Sequence, residues 1–250
     1  MQKLAIISSV PAWAFTGIAN NESFWFTPEE TASALKDEKQ VFIDAIGVPD
    51  LEKKVQIEII RAMDGIPANY SADAYILWGS PAMVTEREQK EWINKLIKFV
   101  EWEVWKWKPL LGICFWHQIL ATALGGKVEP MSDRKIWKWS FETKGMQFDA
   151  LWSHKQGVMN SGSGEIIGNG TWGMWTSSAI QMIQYENATG MQLHPEFSPE
   201  FTSFLVKLMR QQIQSEWLNP DKILSDISTM NWWNPSRILL EGFVKKYYNI

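Results

Sequence analysis

Cysteine is almost missing from this chain. Cys114 is the only one, which excludes an intramolecular disulfide framework and makes a reducing, cytoplasmic setting the default. There is no run of lysines and arginines, and with 24 basic against 28 acidic residues the formal net charge is -4. That excludes nucleic acid as a main partner, because phosphate binding needs clustered cations. No apolar stretch is long enough to span a bilayer. The run from Leu4 to Val10 holds no charge of its own, but with one lysine before it and Pro11 after it, it makes a poor signal peptide. It is expected to be a first buried strand, and no membrane partner is expected. The three histidines, His117, His154 and His194, are not spaced as metal ligands, so no metal and no cofactor is expected. Gly162-Ser163-Gly164 lacks the glycine spacing and the preceding strand of a dinucleotide loop, and it reads as a turn. The Asn-x-Ser/Thr triplets at Asn21, Asn69, Asn169 and Asn187 would matter only in a secreted protein.

What the chain does have is apolar material for one sizeable core: 46% of its 250 residues are hydrophobic, enough for a single large α/β domain. Short apolar runs alternate with helical patterns, the signature of βα units and a mainly parallel sheet. Leu4 to Ser8, Val55 to Ala62, Ala74 to Leu77 and Pro109 to Ile113 are the expected early strands. Thr27-Pro28-Glu29-Glu30 looks like a helix start. Thr85-Glu86-Arg87-Glu88 reads as a capping box, opening a helix whose buried stripe would be Trp92, Ile93, Leu96, Ile97 and Val100. A further helix from Ile119 to Leu124 would end at Gly125-Gly126.

Beyond this point the pattern turns more β-rich, with expected strands Lys138 to Glu142, Phe148 to Trp152, Ile180 to Tyr185 and Gly190 to His194. Ser198-Pro199-Glu200 opens another helix. The expected organisation is a single domain over 1–250. Its core runs from about 4 to 208, and two short helices around Asn219-Pro220 and Asn234-Pro235 form a C-terminal extension from about 216 to 250. Tryptophan is in excess, 16 residues, and no repeat explains it. The Trp and Lys alternation from Trp102 to Lys108 is read as a helix end packing its aromatics rather than as an interaction patch.

Gly112-Ile113-Cys114-Phe115-Trp116-His117-Gln118 lies between a buried strand and a helix, the setting of a nucleophile elbow. A thiol at a helix N-terminus meets unpaired amides and the positive end of the dipole, and both favour the thiolate. His194-Pro195-Glu196 supplies an imidazole and a carboxylate two residues apart at an expected strand end, where both side chains would face one spot. A His oriented by a carboxylate and facing a Cys is the arrangement that activates a thiol for acyl transfer.

These residues resemble the class I glutamine amidotransferases, whose elbow reads Gly-x-Cys-x-Gly-x-Gln and whose partner motif is His-Pro-Glu. Gly112, Cys114 and Gln118 match the first, His194, Pro195 and Glu196 the second, and Gly79-Ser80-Pro81 looks like the loop after the family's third strand. The resemblance spans roughly Leu4 to Leu208 and is nearest to free-standing members similar to the glutaminase half of GMP synthase or to plant γ-glutamyl peptidases. It implies a flavodoxin-like sheet flanked by helices. It also implies a glutaminase in which Cys114 forms a γ-glutamyl thioester, His194 shuttles protons and Glu196 orients it.

Main-chain amides of Phe115 and of Ser80 or Gly79 would hold the oxyanion. Gln118 would contact the bound glutamine, with Ser153 and His154 at the substrate site. The ammonia would pass to a separate synthetase, or the chain would be a self-sufficient γ-glutamyl hydrolase or a silent binding module. Three positions depart from the pattern: Trp116 replaces the second elbow glycine, Trp78 a small residue before the loop, and Gln156 the aspartate of a Ser-His-x-Asp segment. An indole at 116 is expected to enter the pocket, shift the helix or form an outward lid.

Overall fold

The computed structural model describes residues 1–9, 27, 29–30, 36–143, 146–172, 175–229 and 237–250, and the side chains of all of these except 132–143, 146–153, 169–172 and 175–178. Strand β1 (Gln2–Ser8) is followed by helices α1 (Glu38–Ile46) and α2 (Leu51–Lys54), then by β2 (Val55–Arg61) and β3 (Ala74–Trp78). Next come α3 (Glu91–Trp105), β4 (Leu110–Ile113) and α4 (Phe115–Ala123). Five strands succeed one another without an intervening helix: β5 (Lys127–Thr143), β6 (Met146–Asn160), β7 (Glu165–Trp172), β8 (Trp175–Gln184) and β9 (Ala188–Met191). Helices α5 (Pro199–Leu208), α6 (Arg210–Ser215), α7 (Pro220–Ser228) and α8 (Arg237–Tyr248) complete the described chain. Asn21 and the expected helix start at Asn234-Pro235 lie outside the described residues.

All nine strands join one sheet in the order β2-β1-β3-β4-β9-β8-β6-β5-β7. From β2 to β9 the neighbours are parallel, and this half follows the flavodoxin-like strand order, which places ligands at the carboxyl ends of the strands. From β9 onward the pairings are antiparallel, so the whole sheet is mixed. The long strands β5 and β6 pair as a hairpin, which accounts for the β-rich pattern read in the second half of the sequence.

Alternation along β1 sorts its side chains between two cores. Leu4 and Ile6 face one cluster with Phe42, Ile46, Leu240 and Val244. Ala5 and Ile7 face the other with Ile93, Leu96, Val100, Trp116 and Leu120. Thus α1 and α8 cover one face while α3 and α4 cover the other, as a sheet buried on both sides requires. The C-terminal helix is also tied by polar contacts, Arg237 Nε to Ala45 O at 3.1 Å and Tyr248 Oη to Lys3 O at 2.9 Å. A satellite core of Val206, Ile213, Ile223 and Ile227 holds α5, α6 and α7 together.

Several local expectations shift. At the anticipated helix start near Thr27, Glu30 N donates to Thr27 Oγ1 and Thr27 N to Glu30 Oε2, a reciprocal capping box. The one expected at Thr85 does not form. Thr85 donates instead to Gln156 Oε1 through both N and Oγ1, and α3 begins only at Glu91. Helix α4 begins four residues earlier than the pattern from Ile119 suggested, directly after Cys114. Strand β9 stops at Met191, so His194-Pro195-Glu196 lies in a turn closed by Phe197 N to His194 O at 3.3 Å, not on a strand end. The tryptophans in the last turn of α3 do not pack inward: Trp102 and Trp105 stack on each other at 5.0 Å in solvent.

Candidate active site

The carboxyl ends of the parallel strands bring the candidate residues together. Cys114 follows β4 directly and N-caps α4 with φ 54° and ψ -105°. That sparsely populated backbone conformation costs on the order of 1–3 kcal/mol at a non-glycine residue and is held only where its surroundings dictate it. Two main-chain bonds do so: Cys114 N donates to Met191 O at 2.8 Å, and Gln118 N donates to Cys114 O at 3.3 Å. The turn is tight enough that a Cβ on Gly112 would lie 2.4 Å from Leu120 Cδ1 and 2.9 Å from Trp116 O. Glycine is therefore required at 112. Phe115 opens α4, so its N–H is among those with no intrahelical acceptor.

His194 and Glu196 converge across their turn, with Nδ1 donating to Oε1 at 2.6 Å. The imidazole stacks on Phe197 with centroids 4.0 Å apart. Burial alone would push His194 down, but the Glu196 carboxylate and the Cys114 sulfur outweigh it, and its pKa is pushed up to about 10. The physical cause is charge pairing in a dry site, which favours imidazolium beside a carboxylate. The same Oε1 of Glu196 also accepts from Trp78 Nε1 at 2.8 Å. Trp78 is in turn braced edge-on by Phe42, centroids 5.2 Å apart. The tryptophan that departs from the family pattern is thus the second donor to the carboxylate.

The loop after β3 passes close to this pair. A Cβ on Gly79 would sit 3.0 Å from His194 Cε1 and 3.4 Å from Cys114 Cβ, so the backbone there lies against both side chains. Ser80 Oγ donates to Ser9 O at 3.1 Å and accepts from Ala82 N. Ser9 Oγ in turn accepts from Trp116 Nε1 at 2.9 Å. This contact corrects the expectation for Trp116. Its indole is fully buried in the core beneath α4 and does not line the cleft. It neither blocks the pocket nor forms a lid, because the close approach between strand and helix is borne by Gly112 and the backbone of residue 116.

A cleft of about 580 Å³ opens over Cys114, lined by Gly79, Ser80, Phe115, Gln118, His154 and His194, with an apolar wall from Phe197, Phe201, Leu205 and Met209. His154 Nδ1 donates to Gln156 O at 2.6 Å. The side chain of Ser153 lies outside the described residues. Gln118 is 2% exposed, and both its N–H groups are used, on Gln156 O at 3.2 Å and Gln192 Oε1 at 2.9 Å. A carboxamide has only two such protons. His117, read as lying beside the site, is buried between α4 and strands β8 and β9, with Nε2 donating to Ile180 O at 3.0 Å. Burial pushes its pKa down to about 4. Gln192 carries no motif, although it stands two residues before His194, and Gln156 enters the sequence reading only as a departure from the Ser-His-x-Asp segment.

A mixed sheet whose parallel half carries a strained Cys at the end of β4, with a paired His and Glu in the turn that follows β9, defines an α/β protein of amidotransferase architecture. Residues 50–211 match the family described as Glutamine amidotransferase class-I, and the chain belongs to that family. A stretch of 81 residues is 30% identical to one of the subunits of the glutamine-hydrolysing GMP synthase of Halobacterium salinarum, covering 28% of this chain and only 38% of that relative. Among solved structures, a glutamine amidotransferase from Thermotoga maritima superposes with a TM-score of 0.67 at 15% identity over 100% of both chains. One from Methylobacillus flagellatus gives 0.59 at 13% identity, over 99% of this chain and 92% of the other. At those identities the likeness is one of fold. Among the described residues no helix is long and apolar enough to cross a membrane.

Proposed function

We propose that the chain hydrolyses the side-chain amide of glutamine through Cys114, His194 and Glu196. The observation that carries this reading is the buried His194 to Glu196 pair, with the imidazole pushed toward its protonated form by the carboxylate and by the Cys114 sulfur. In such a pair the thiolate attacks the amide carbon and His194 gives its proton to the departing nitrogen. Ammonia leaves, and a γ-glutamyl thioester remains. His194 then takes a proton from water as that water attacks the thioester, releasing glutamate and restoring the thiolate and imidazolium pair. Glu196 keeps the imidazole oriented. In this reading the amides of Phe115 and of Ser80 or Gly79 hold the developing oxyanion, where losing one donor typically costs about 3 kcal/mol. The similarity to a subunit of a glutamine-hydrolysing GMP synthase favours delivery of the ammonia to an acceptor on a separate synthetase chain.

A second reading, hydrolysis of a γ-glutamyl peptide or similar amide, is favoured by the apolar wall of Phe197, Phe201, Leu205 and Met209, which offers room beyond a glutamine side chain. One experiment addresses both. A glutamine-analogue electrophile is expected to label Cys114, as read by mass spectrometry, and Cys114→Ala is expected to abolish glutamate release from glutamine and from γ-glutamyl dipeptides. His194→Ala combined with Cys114→Ala should cost little more than either alone, as members of one catalytic unit do. Undiminished hydrolysis in Cys114→Ala, or additive losses in the pair, would sink the mechanism.

A further inference from the structure

Three buried glutamines form one hydrogen-bonded chain that ends on the nucleophile's sulfur. Thr85 donates through N at 3.2 Å and Oγ1 at 3.1 Å to Gln156 Oε1. Gln156 Nε2 donates to Gln118 Oε1 at 2.6 Å. Gln118 Nε2 donates to Gln192 Oε1 at 2.9 Å, and Gln192 Nε2 points at Cys114 Sγ from 3.4 Å. Gln156, Gln118 and Gln192 are 3%, 2% and 0% exposed.

The direction of this chain is dictated by backbone groups, which cannot exchange donor for acceptor. The Thr85 N–H can only donate, so the atom of Gln156 that meets it must be oxygen. The carbonyl of Gln156 can only accept, so the atom of Gln118 that meets it must be nitrogen. With Gln156 and Gln118 set, Gln192 must turn its oxygen to Gln118 and its N–H to the sulfur. Turning any one amide over would set oxygen against oxygen or N–H against N–H inside a dry core, at a cost comparable to lost buried hydrogen bonds.

We propose that these amides act as a positioning relay that polarises the Cys114 sulfur toward thiolate. Every dipole in the row has its positive end toward the sulfur, and aligned hydrogen bonds in a low-dielectric interior strengthen one another by roughly 10–30% per bond. A hydrogen bond to the charged form favours that form. The relay begins where Gln156 replaces the aspartate of the related Ser-His-x-Asp segment. An aspartate there has no N–H with which to continue the row, so the device belongs to this sequence. Gln118, with both protons committed to the relay, has only an oxygen lone pair left for a substrate.

The inference rests on Cys114 being the nucleophile, but its test does not need turnover. Cys114 is the only cysteine, so the pH midpoint of its alkylation by iodoacetamide, followed by mass spectrometry on the full chain, reports the thiolate directly. Gln192→Met removes the last donor and should raise that midpoint by about one pH unit. Gln156→Leu, which touches the sulfur only through two other side chains, should raise it by about 0.3 unit. Gln156→Glu should raise it further, because a carboxylate satisfies Thr85 but sets oxygen against Gln118 Oε1, whose orientation the Gln156 main-chain carbonyl holds, and puts a negative charge at the head of the row, where it opposes the thiolate. In the Gln192→Met background the effect of Gln156→Leu should vanish, since the link is already cut.

A merely structural role for the glutamines would lower the melting temperature and leave every midpoint in place. Midpoints equal to wild type in folded Gln156→Leu and Gln156→Glu would overturn the relay. Should those two fail to fold, an unmoved midpoint in Gln192→Met overturns it. If instead the midpoints shift but the chain hydrolyses no glutamine or γ-glutamyl amide, the relay stands and the proposed reaction fails.

Discussion

Replacing Trp116 by glycine restores the family's elbow pattern, and for that reason it separates pattern from packing. The indole is 0% exposed, packs within the core under α4, and donates to Ser9. Truncating a buried Trp to Ala costs about 3–5 kcal/mol, and glycine in a first helical turn adds up to about 1 kcal/mol. The Ser9 hydroxyl also loses its donor. A total of roughly 4–6 kcal/mol consumes much of the 5–15 kcal/mol that holds a typical domain folded. At about 2–4 °C per kcal/mol for a chain of this size, the melting temperature should fall by roughly 10–20 °C. Turnover should fall as well, because Ser9 links the indole to Ser80 in the loop that lies against Cys114. Thermal unfolding by circular dichroism, with steady-state glutamate release measured well below the transition, checks both. A Trp116→Gly variant that melts within about 3 °C of wild type, on the same scale, and turns over faster would show that the side chain obstructs the site and that the packing argument is wrong.

Trp78→Phe keeps the edge-on contact with Phe42 but removes the N–H that binds Glu196 at 2.8 Å. A hydrogen bond to a charged group contributes about 1.5–3 kcal/mol, so kcat should drop by roughly 10- to 100-fold. An unchanged kcat would remove Trp78 from the orienting network. His117 supplies a pH signature. Its folded pKa, about 4, lies below the unfolded value near 6.5, so the unfolded chain binds the proton first, and stability present above pH 6.5 is lost as pH falls toward 4. The difference amounts to at most about 3 kcal/mol. His117→Leu should be less stable at pH 7 by about 1 kcal/mol, for the lost bond to Ile180, yet lose less of its stability across pH 6.5 to 4. Parallel acid limbs in urea unfolding of the two proteins would contradict this.

Local pattern was enough for the parallel half of the sheet, because a strand buried on both faces has to be continuously apolar and a helix on top of it has to carry a stripe. The four early strands and the stripe of α3 follow from that constraint alone. The family, too, was legible in Gly112, Cys114, Gln118 and His194-Pro195-Glu196, whose spacing the chemistry restricts. What the sequence could not decide was direction. At Trp116 the family pattern asks for a small residue, but the side chain turns into the core and leaves the tight contact to Gly112. At Trp78 the same departure turns toward Glu196 and becomes a donor. Thr85 looked like a helix cap because a hydroxyl followed by glutamate three residues on is a local rule, yet its N–H and hydroxyl are taken by Gln156, 71 residues away. Gln192, Gln118 and Gln156 carry no motif as a set, since their meaning arises only when three distant segments of the chain bring one carboxamide against the next. Residue type and spacing therefore determined the family and the candidate thiol, while the tertiary structure decided which polar atoms face it, because burial obliges each of them to find a partner wherever the chain supplies one.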